Sequence, residues 1–438
     1  MKQLIPAKQR EFAVEVVRQL REHHFEAYWA GGCVRDHLLG RTPYDYDVAT
    51  SAHPEQIQAA FRHRKTLAIG AAFGVMTVVG PRGAGQVEVT TFRQDVSYSD
   101  GRHPDRISFS SPEEDAKRRD FTINGMFYDP LAGRIIDFVN GEADLRAGVV
   151  RAIGQPRERF TEDKLRMLRA IRFASIFNFL LEEQTAAAIR EMASQVTIVS
   201  AERIADELRL MLVHPSRARA VRLMHAMGLL AAILPEVESI ADSKSRDMDA
   251  VFDPERVSAS SSRWEQTLAM LHRLKQPSFS LSLAALLHAV GGAGLADTIG
   301  RRWRLARKET ELLAWLLEHQ GDLAGAREKP WSQIQPLLAA DVASELIELH
   351  DVKAKLSLVD PSDVSFCSER LSRPQEELNP PPLIGGADLI GLGIPRGPEF
   401  AKLLQMTREA QLDGVVQDRG AALAFVQSAW RNQSIERP

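Results

Sequence analysis

The stretch GGCVRDHLLGRTPYDYDVAT, residues 31–50, decides the fold of the first part of this chain. Near its end, Asp45 and Asp47 are separated by one residue in a segment, 44–50, that the sequence predicts to be a β-strand. Residues two apart on a strand point to the same face of the sheet. We therefore expect the two carboxylates to converge and repel each other, and we expect a positive group to lie between them.

Two carboxylates on one face of a strand are typical of a Mg²⁺ site, because Mg²⁺ prefers oxygen ligands and also accepts substrate phosphates. Two ions about 3.5–4 Å apart can activate a hydroxyl and neutralise a triphosphate during in-line displacement. A lone Asp-x-Asp is more often a solvated turn, so the pair needs support from its surroundings. Glu88, between two valines in the predicted strand 86–92, is either a third carboxylate of this site or an exposed strand residue.

The glycines that open the stretch predict a phosphate site. Gly31 and Gly32 follow a strand predicted at 27–30 and precede a helix predicted at 33–39. Backbone N–H groups at the start of a helix can hold a phosphate, and Arg35, one turn into the helix, adds a cation. By itself a Gly-Gly pair is usually no more than a turn.

Composition limits the classes of protein that remain. At 438 residues the chain is too long for one ordinary core. No apolar run approaches the length of a membrane span, and the first residues lack the apolar core of a signal peptide. Cys33 and Cys367 are too few for a disulfide framework and lack metal-site spacing. We expect a cytoplasmic protein with no membrane contact. The net charge of -3 does not exclude nucleic acid, because a local basic stripe is enough to bind it.

The pattern along the chain predicts an α+β fold. Further strands are expected at 74–80 and 86–92, with helices at 7–24 and 54–62, which together describe a small mixed domain. The polar segment 93–106 is expected to be a flexible loop, and beyond residue 155 helical periodicity dominates. We divide the chain into a mixed head, a helical neck, a helical body and a helical tail, at 1–148, 149–215, 216–345 and 346–438.

Two charged clusters follow the carboxylate pair. EEDAKRRDFTING, residues 113–125, contains the charged and amide side chains of Arg118, Arg119, Asp120 and Asn124. This cluster either caps a helix or holds the phosphate and sugar hydroxyls of a ribonucleotide. In RFTEDKLRMLRAIRFASIFNF, residues 159–179, helical spacing puts Glu162 and Asp163 within reach of Arg166. This second cluster is either a salt-bridged helix surface or an Asp acceptor and an Arg donor that present a Watson–Crick-like edge to a nucleobase.

These motifs carry a family resemblance. The segments GGCVRDHLLGRTPYDYD, RRDFTIN and EDKLRMLRAIRFA, with ERIADELRLML at 202–212, resemble the ordered motifs of class II tRNA nucleotidyltransferases and bacterial poly(A) polymerases. The resemblance is continuous over about residues 26–215 and looser beyond. It implies a nucleotidyltransferase head, then a helical neck, body and tail that clasp the tRNA acceptor arm.

The resemblance also implies roles for single residues. Asp45 and Asp47 are the expected metal ligands, with Glu88 beside them. The residues expected to contact the triphosphate or the sugar are Gly31, Gly32, Arg35, Arg119, Asp120 and Asn124. Asp163 and Arg166 are expected to read the base, with Glu162 as their support. Arg169 and Arg172 are expected to reach the incoming nucleotide or its phosphates.

The implied activity is addition of CCA, or of its last A alone, to tRNA without a nucleic-acid template. ATP, CTP where the whole end is added, and two Mg²⁺ ions are expected, and no protein partner is predicted. Two alternatives remain, a bacterial poly(A) polymerase and an inactive head that only binds RNA. Segment 67–79 lacks the Arg/Lys-Phe pair usual in the polymerases, and the intact motif residues disfavour an inactive head. Family enzymes that stop after CC lack a flexible head loop, so the predicted loop with Arg102 indicates that A can be added.

The body resembles a degenerate HD phosphohydrolase domain. The family metal site needs a His in one element and a His-Asp pair in the next, whereas WEQTLAMLHRL and LAALLHAVGG supply Gln266 and His288-Ala289. We expect a helical scaffold without phosphatase activity, with His288 as a core or capping residue. The segment RRWRLARK, 301–308, is either a solvated helix face or a contact with the tRNA backbone.

Overall fold

The computed structural model describes residues 4–68, 74–97, 106–241 and 252–435. Arg102 and most of the predicted loop 93–106 lie outside these residues. The chain splits into two compact units, one within Met1–Glu238 and the other within Val251–Pro438. The division into four parts predicted from the sequence is finer than this and stays a prediction.

The first unit contains all the strands of the described residues. They are β1 (Ala27–Ala30), β2 (Asp47–Thr50), β3 (Thr66–Leu67), β4 (Val75–Val79), β5 (Gln86–Thr91), β6 (Arg93–Ser97), β7 (Arg106–Phe109), β8 (Phe127–Asp129), β9 (Arg134–Ile136), β10 (Val149–Val150) and β11 (Leu180–Leu181). Seven of them form one sheet in the order β3-β4-β5-β2-β1-β8-β9, while β6 pairs with β7 and β10 with β11. Within the large sheet β2 and β5 are parallel, and β1 is antiparallel to both β2 and β8.

The helices of the first unit surround this sheet and continue beyond it. They are α1 (Pro6–Glu22), α2 (Gly32–Leu38), α3 (Pro54–Ala60), α4 (Pro112–Lys117), α5 (Gly141–Ala147), α6 (Pro156–Glu162), α7 (Leu165–Ile176), α8 (Glu183–Met192), α9 (Ala201–Leu212), α10 (Arg217–Ala226), α11 (Leu229–Ile233) and α12 (Pro235–Glu238), with 3₁₀ turns at Thr122–Asn124 and Ala193–Ile198. The predicted apolar face of α1 is confirmed, since Phe12, Val16 and Leu20 are all buried. The α+β fold class is confirmed as well.

Two predictions about strands are wrong in detail. Strand β2 begins at Asp47, so Asp45 lies just before the strand rather than on it. Tyr46, which separates the two aspartates in the sequence, is nevertheless buried, and its ring centroid lies 4.8 Å from that of Trp29. The segment 93–97, predicted as loop, is strand β6 and pairs antiparallel with β7. Its polar side chains gave no alternation of apolar residues from which a strand could be predicted.

The described residues of the second unit are helical, as predicted. Their helices are α13 (Arg263–Arg273), α14 (Phe279–Leu287), α15 (Ala293–Trp303), α16 (Arg307–His319), α17 (Trp331–Leu338), α18 (Ala343–Ala354), α19 (Pro361–Leu371), α20 (Gln375–Leu378), α21 (Gly386–Gly391), α22 (Pro398–Leu412) and α23 (Arg419–Ile435), with a 3₁₀ turn at Pro254–Arg256. Across the described parts of both units, no helix has the length and apolar character needed to cross a membrane.

The HD-like positions in the second unit serve the fold. The Gln266 side-chain amide donates hydrogen bonds to the backbone carbonyls of Ala259 and Ser261, at 3.0 and 2.9 Å. His288 is the C-cap residue of α14, and its Nδ1 lies 3.0 Å from the carbonyl oxygen of Ala285. Burial lowers the pKa of His288 to about 4. His288 is therefore a capping histidine, as predicted, and Gln266 holds the loop that precedes α13.

Candidate active site

An open cavity of about 600 Å³ in the first unit collects most of the residues singled out from the sequence. Its lining residues are Gly31, Gly32, Arg35, Asp45, Asp47, Arg93, Arg118, Arg119, Asp120, Asn124, Asp163, Arg166, Arg169, Arg172 and Phe173. Seven arginines stand against four aspartates in this lining. Because positive charge focused in a cleft attracts anions, the cavity suits a ligand with several negative charges.

The carboxylate pair lies at one end of this lining. Asp45 is exposed and Asp47 is partly buried at the start of β2. Burial, and then the negative charges of Asp45 and Glu88, raises the pKa of Asp47 to about 7, against a smaller opposing effect of Arg119. In the part of the chain that the structure describes, neither aspartate forms an ion pair with a cationic side chain. The electrostatic repulsion predicted from the sequence is therefore present.

Glu88 lies next to this pair without lining the cavity. It is exposed on β5 and stands in register with Asp47 on the parallel neighbour β2. Residues in register on adjacent strands share a face of the sheet. This position explains why the charge of Glu88 raises the pKa of Asp47.

The donor set at this end of the cavity fits a divalent cation. Two neighbouring carboxylates, one with its pKa raised by burial and then by the negative charges beside it, are stabilised by a hard cation that takes oxygen ligands. Among the described residues there is no group of three or more His, Cys, Asp or Glu side chains that could hold a metal ion. An ion bound by Asp45 and Asp47 therefore needs its remaining ligands from water and from the phosphates of a substrate.

Residue 31 must be a glycine for two reasons, its backbone conformation and the side chain of Arg119 beside it. Its φ of 74° and ψ of -132° lie in a region that side chains other than glycine rarely adopt. A Cβ at this position would lie 2.8 Å from Nη1 of Arg119. The glycine thus lets a guanidinium lie directly against the turn that precedes α2.

Arg35 is the cation that α2 contributes. Its Nη1 donates a 2.7 Å hydrogen bond to Oδ1 of Asn124, and its Nε donates one of 2.9 Å to Asp36. The guanidinium carbon lies 4.5 Å from the ring centroid of Phe177 and 5.1 Å from that of Phe173. Burial lowers the pKa of Arg35. These contacts hold the planar guanidinium group of Arg35 in the cavity lining, and the ammonium group of a lysine could not make them.

Asp120 links the head cluster to helix α7. Its Oδ2 accepts hydrogen bonds from Arg169, with Nη2 at 2.7 Å, and its Oδ1 accepts one from Asn124 at 3.1 Å. Burial opposes ionisation of Asp120, but the charge of Arg169 and the hydrogen bonds from Asn124 and Arg169 lower its pKa to about 2. The Asp120 carboxylate is thus ionised and fixed at neutral pH.

Glu162 and Arg166 form the ion pair predicted from their spacing. Nη1 of Arg166 lies 2.6 Å from Oε2 of Glu162, which also accepts a hydrogen bond from Arg159 at 3.0 Å. Nη2 of Arg166 donates to the backbone carbonyl of Arg118 at 3.3 Å. Glu162 does not line the cavity, so its role is to hold the Arg166 side chain, which does.

Asp163 does not pair with Arg166, and this prediction is wrong. Helix α6 ends at Glu162 and Asp163 is extended, with φ of -147° and ψ of 105°, before α7 begins at Leu165. The break turns the Asp163 carboxylate towards Arg203 of α9, whose Nη2 and Nη1 lie 2.7 and 3.2 Å from its two oxygens. Glu162 still reaches Arg166 across the same break, so the extended backbone of Asp163 itself is what directs its carboxylate away from Arg166.

Arg169 and Arg172 complete the far wall of the cavity. Both approach Glu207 of α9, at 3.7 Å from Nη1 of Arg169 and 2.6 Å from Nε of Arg172. Arg172 also stacks over the ring of Phe173, with its guanidinium carbon 4.3 Å from the centroid. The two arginines are therefore held in place before any ligand binds.

Five residues of this site were not predicted as part of it. Arg93 and Phe173 line the cavity, Asp115 and Glu207 support its arginines, and Arg203 supports Asp163. The sequence did hold a signal for three of them. Asp115 precedes Arg118 and Arg119 by three and four residues, which is helical spacing. Arg203 and Glu207 are four residues apart in ERIADELRLML, so a helix puts both on one face.

Comparisons with known families agree with the placement of this cavity. A family model described as "Poly A polymerase head domain" matches residues 27–151. A second, described as "Probable RNA and SrmB- binding site of polymerase A", matches residues 178–240. The two matches fall on the first compact unit and include most of the cavity lining.

Relatives named CCA-adding enzyme match much more of the chain. That of Geobacillus stearothermophilus is 33% identical over 415 residues, which cover 93% of this chain and 93% of the relative. That of Lactobacillus helveticus is 42% identical over 212 residues, 48% of this chain and 52% of the relative. The crystal structure of the Bacillus stearothermophilus CCA-adding enzyme in complex with CTP superposes with a TM-score of 0.75 at 29% identity, covering 97% of this chain and 98% of that one.

Proposed function

This chain belongs to the family of the CCA-adding enzymes, and we propose that it adds nucleotides to the 3′ end of tRNA. The reaction is nucleotidyl transfer from ATP, and from CTP where the whole CCA end is made, with release of pyrophosphate. The proposal rests on one cavity, whose lining combines the carboxylates of Asp45 and Asp47 with a set of fixed arginines. The same lining contains Asp163 and Arg166, the charged residues at the break between α6 and α7.

The carboxylate pair marks the place of the chemistry. Asp45 and Asp47 would hold two Mg²⁺ ions together with the triphosphate, and Glu88 adds negative charge beside them. The ions would supply activation of the terminal tRNA hydroxyl and neutralisation of the leaving pyrophosphate. Asp47 is placed at the start of β2, and Asp45 lies just before the strand.

The arginines hold the nucleotide. Arg119 lies against the Gly31 turn, where the backbone approaches a phosphate closely, and Arg35 lies deeper in the same wall. Asp120 and Asn124 are fixed acceptors and donors suited to sugar hydroxyls. Arg169 and Arg172 add positive charge on the opposite side. An anionic ligand thus meets guanidinium groups that need little reorganisation, which favours transfer.

The base is chosen by protein side chains. Arg166 lines the cavity and is held by Glu162 and by the backbone carbonyls of Arg118 and Arg159. Asp163 is held by Arg203 rather than by Arg166. We propose that both side chains contact the Watson–Crick edge of the incoming base, and that Arg203 sets the orientation of the Asp163 acceptor. Discrimination then needs no nucleic-acid template.

The names of the relatives that match nearly the whole chain support addition of the complete CCA end. Addition of A alone uses the same cavity residues and is the narrower form of the proposal. A location in the cytoplasm is also part of the proposal, supported by two buried free thiols, Cys33 and Cys367, which suit a reducing compartment.

Transfer of label from radioactive ATP to RNA tests the proposal. Purified protein with Mg²⁺ is given either a tRNA that ends in CC or an unstructured RNA of equal length. We expect one AMP on the tRNA and little label on the unstructured RNA. Long A tails on both RNAs would support a poly(A) polymerase instead, and absence of transfer to either would contradict the proposal.

A further inference from the structure

The buried carboxylate of Asp115 has no role in the proposed reaction so far, yet it organises one wall of the cavity. Asp115 lies on α4, outside the cavity lining, and is fully buried, with 0% of its surface exposed. An ionised carboxylate in such a position is costly unless it is paired. Its partners therefore show what it is for.

Two arginines of the cavity share this one carboxylate. Arg118 donates to Oδ1 from Nε at 2.9 Å and from Nη2 at 2.7 Å. Arg119 donates to Oδ2 from Nη2 at 3.0 Å and from Nε at 3.3 Å. Each guanidinium thus uses two N–H groups on one oxygen, and both arginines line the cavity. Nη1 of Arg119 donates to the backbone carbonyl of Asn124 at 3.5 Å. Two adjacent like charges that repel each other are held side by side by the charge between them.

A third donor fixes the carboxylate itself. The backbone N–H of Arg93, the first residue of β6, donates to Oδ1 of Asp115 at 3.3 Å. Burial opposes ionisation of Asp115, but the charges of Arg119 and Arg118 keep its pKa below the usual value for an aspartate. The carboxylate is therefore charged at neutral pH and attached to the sheet as well as to α4.

The same cluster reaches both ends of the nucleotide site. Arg119 lies against the Gly31 turn, where a Cβ would be 2.8 Å from its Nη1. The backbone carbonyl of Arg118 accepts the 3.3 Å hydrogen bond from Nη2 of Arg166. The position of residues 118 and 119 thus affects the phosphate side through Arg119 and the base side through Arg166.

We infer that Asp115 is a positioning residue for nucleotide binding, which orients Arg118 and Arg119 towards the triphosphate and keeps Arg166 in register with them. The inference rests on the proposed function for the identity of the ligand, a nucleoside triphosphate. Asp115 itself does not touch the nucleotide. Its replacement acts by letting two guanidinium groups separate and turn away from the cavity.

Asp115→Asn tests this inference, because it keeps the size of the side chain and removes the charge. An amide can accept from one guanidinium but turns its NH₂ group towards the other. We expect the KM for ATP in AMP addition to rise at least about tenfold, with a smaller change in kcat for each folded molecule. The dissociation constant of ATP with Mg²⁺, measured by calorimetry without tRNA, should rise by a similar factor.

Glu114→Gln is the matched control. Glu114 is the preceding residue of the same helix, and its carboxylate pairs with Lys117 at 3.2 Å. We expect both constants to stay within twofold of the parent. If Asp115→Asn lowers only the maximal rate and leaves both constants unchanged, Asp115 is a structural residue and the inference is wrong.

Asp115→Glu provides a second test in case the amide variant does not fold. It keeps the charge and both ion pairs but moves the two guanidinium groups by about the length of a methylene. The inference predicts at least a threefold weaker ATP affinity in this variant, and an unchanged affinity would contradict it. The calorimetric measurement remains valid even if the parent binds ATP and transfers nothing to tRNA, which would count against the proposed function alone.

Discussion

Asp163 pairs with Arg203 and not with Arg166, at 2.7 Å between Oδ2 and Nη2. The extended backbone at Asp163, between α6 and α7, causes this choice of partner. The two side chains proposed to read the base are therefore held by different supports, Asp163 by α9 and Arg166 by Glu162.

The role of Asp163 in base choice predicts the effect of its removal. Asp163→Ala should relax discrimination among nucleoside triphosphates more than it weakens their binding. A bidentate base contact discriminates by roughly 1–3 kcal/mol, so we expect preference for the correct nucleotide to fall by about tenfold or more. Competition between ATP and each other triphosphate, on tRNA ending in CC, measures the effect.

Asp206→Ala is the control for Asp163→Ala. Asp206 lies near Arg203 in the sequence, but it is exposed and pairs with Arg209 at 2.7 Å. Its loss should not change the preference for ATP. Equal loss of rate with every nucleotide in Asp163→Ala, with preference retained, would show that Asp163 only closes the helix break.

We predict that removal of either carboxylate of the pair abolishes activity but leaves the fold intact. Asp45→Ala and Asp47→Ala should each lower nucleotide addition by about a thousandfold or more, because each removes a ligand of the ions that stabilise the transition state. Their circular dichroism spectra should match that of the parent. Activity within tenfold of the parent in either variant would contradict the assignment of the pair.

The pH dependence of stability gives a separate test of the pKa of Asp47, which burial and then the charges of Asp45 and Glu88 raise. The folded pKa of about 7 lies above that of an unfolded aspartate, near 3.9. The folded protein then binds more protons than the unfolded protein between these values, so stability falls as the pH rises through this window. In metal-free protein, Asp47→Asn should therefore raise the melting temperature more at pH 8 than at pH 5. An equal effect at both values would contradict the raised pKa.

We predict that alanine at Gly31 and alanine at Gly40 have different effects on activity. Gly31→Ala should lower AMP addition by about a hundredfold, since a small displacement of Arg119 misplaces the triphosphate. Gly40→Ala is the control, because Gly40 also has a positive φ, of 69°, but a Cβ there has nothing within 4 Å. We expect Gly40→Ala to lower the melting temperature slightly and to keep its activity. Equal losses of activity would show that backbone strain alone is responsible.

The degenerate body predicts the absence of a second activity. Gln266 uses its amide to bind backbone carbonyls, and Ala289 has no ligand atom. Metal-free protein resupplied with Ni²⁺, Mn²⁺ or Mg²⁺ should therefore not hydrolyse 2′,3′-cyclic phosphates. Metal-dependent hydrolysis that persists in Asp45→Ala would overturn this prediction.

The sequence predicted those parts of the fold that depend on local pattern. The apolar face of α1, the strand 27–30 and the turn at Gly31 all follow from short-range periodicity and from the special backbone of glycine. The strands with polar side chains, such as β6, were missed because their pairing with β7 is not visible in the alternation of residues.

The candidate site shows the same limit. The motif residues that line the cavity were found because their spacing and residue types are specific. Asp115 was missed although it lies only three and four positions before Arg118 and Arg119. Glu207 was not found as the support of Arg172, because the two residues are 35 positions apart. Contacts between distant segments depend on packing, which the spacing of residues in the sequence does not reveal.

The most direct test of the account uses tRNA transcripts that end at successive points of the CCA terminus. Each is incubated with the protein, Mg²⁺ and either labelled CTP or labelled ATP, and the products are resolved at single-nucleotide length. We predict one AMP on the transcript that ends in CC, dependent on Asp45 and Asp47, with CMP added to the shorter transcripts if the complete end is made. Failure to add AMP to the transcript that ends in CC, by protein that binds ATP, would contradict the central claim.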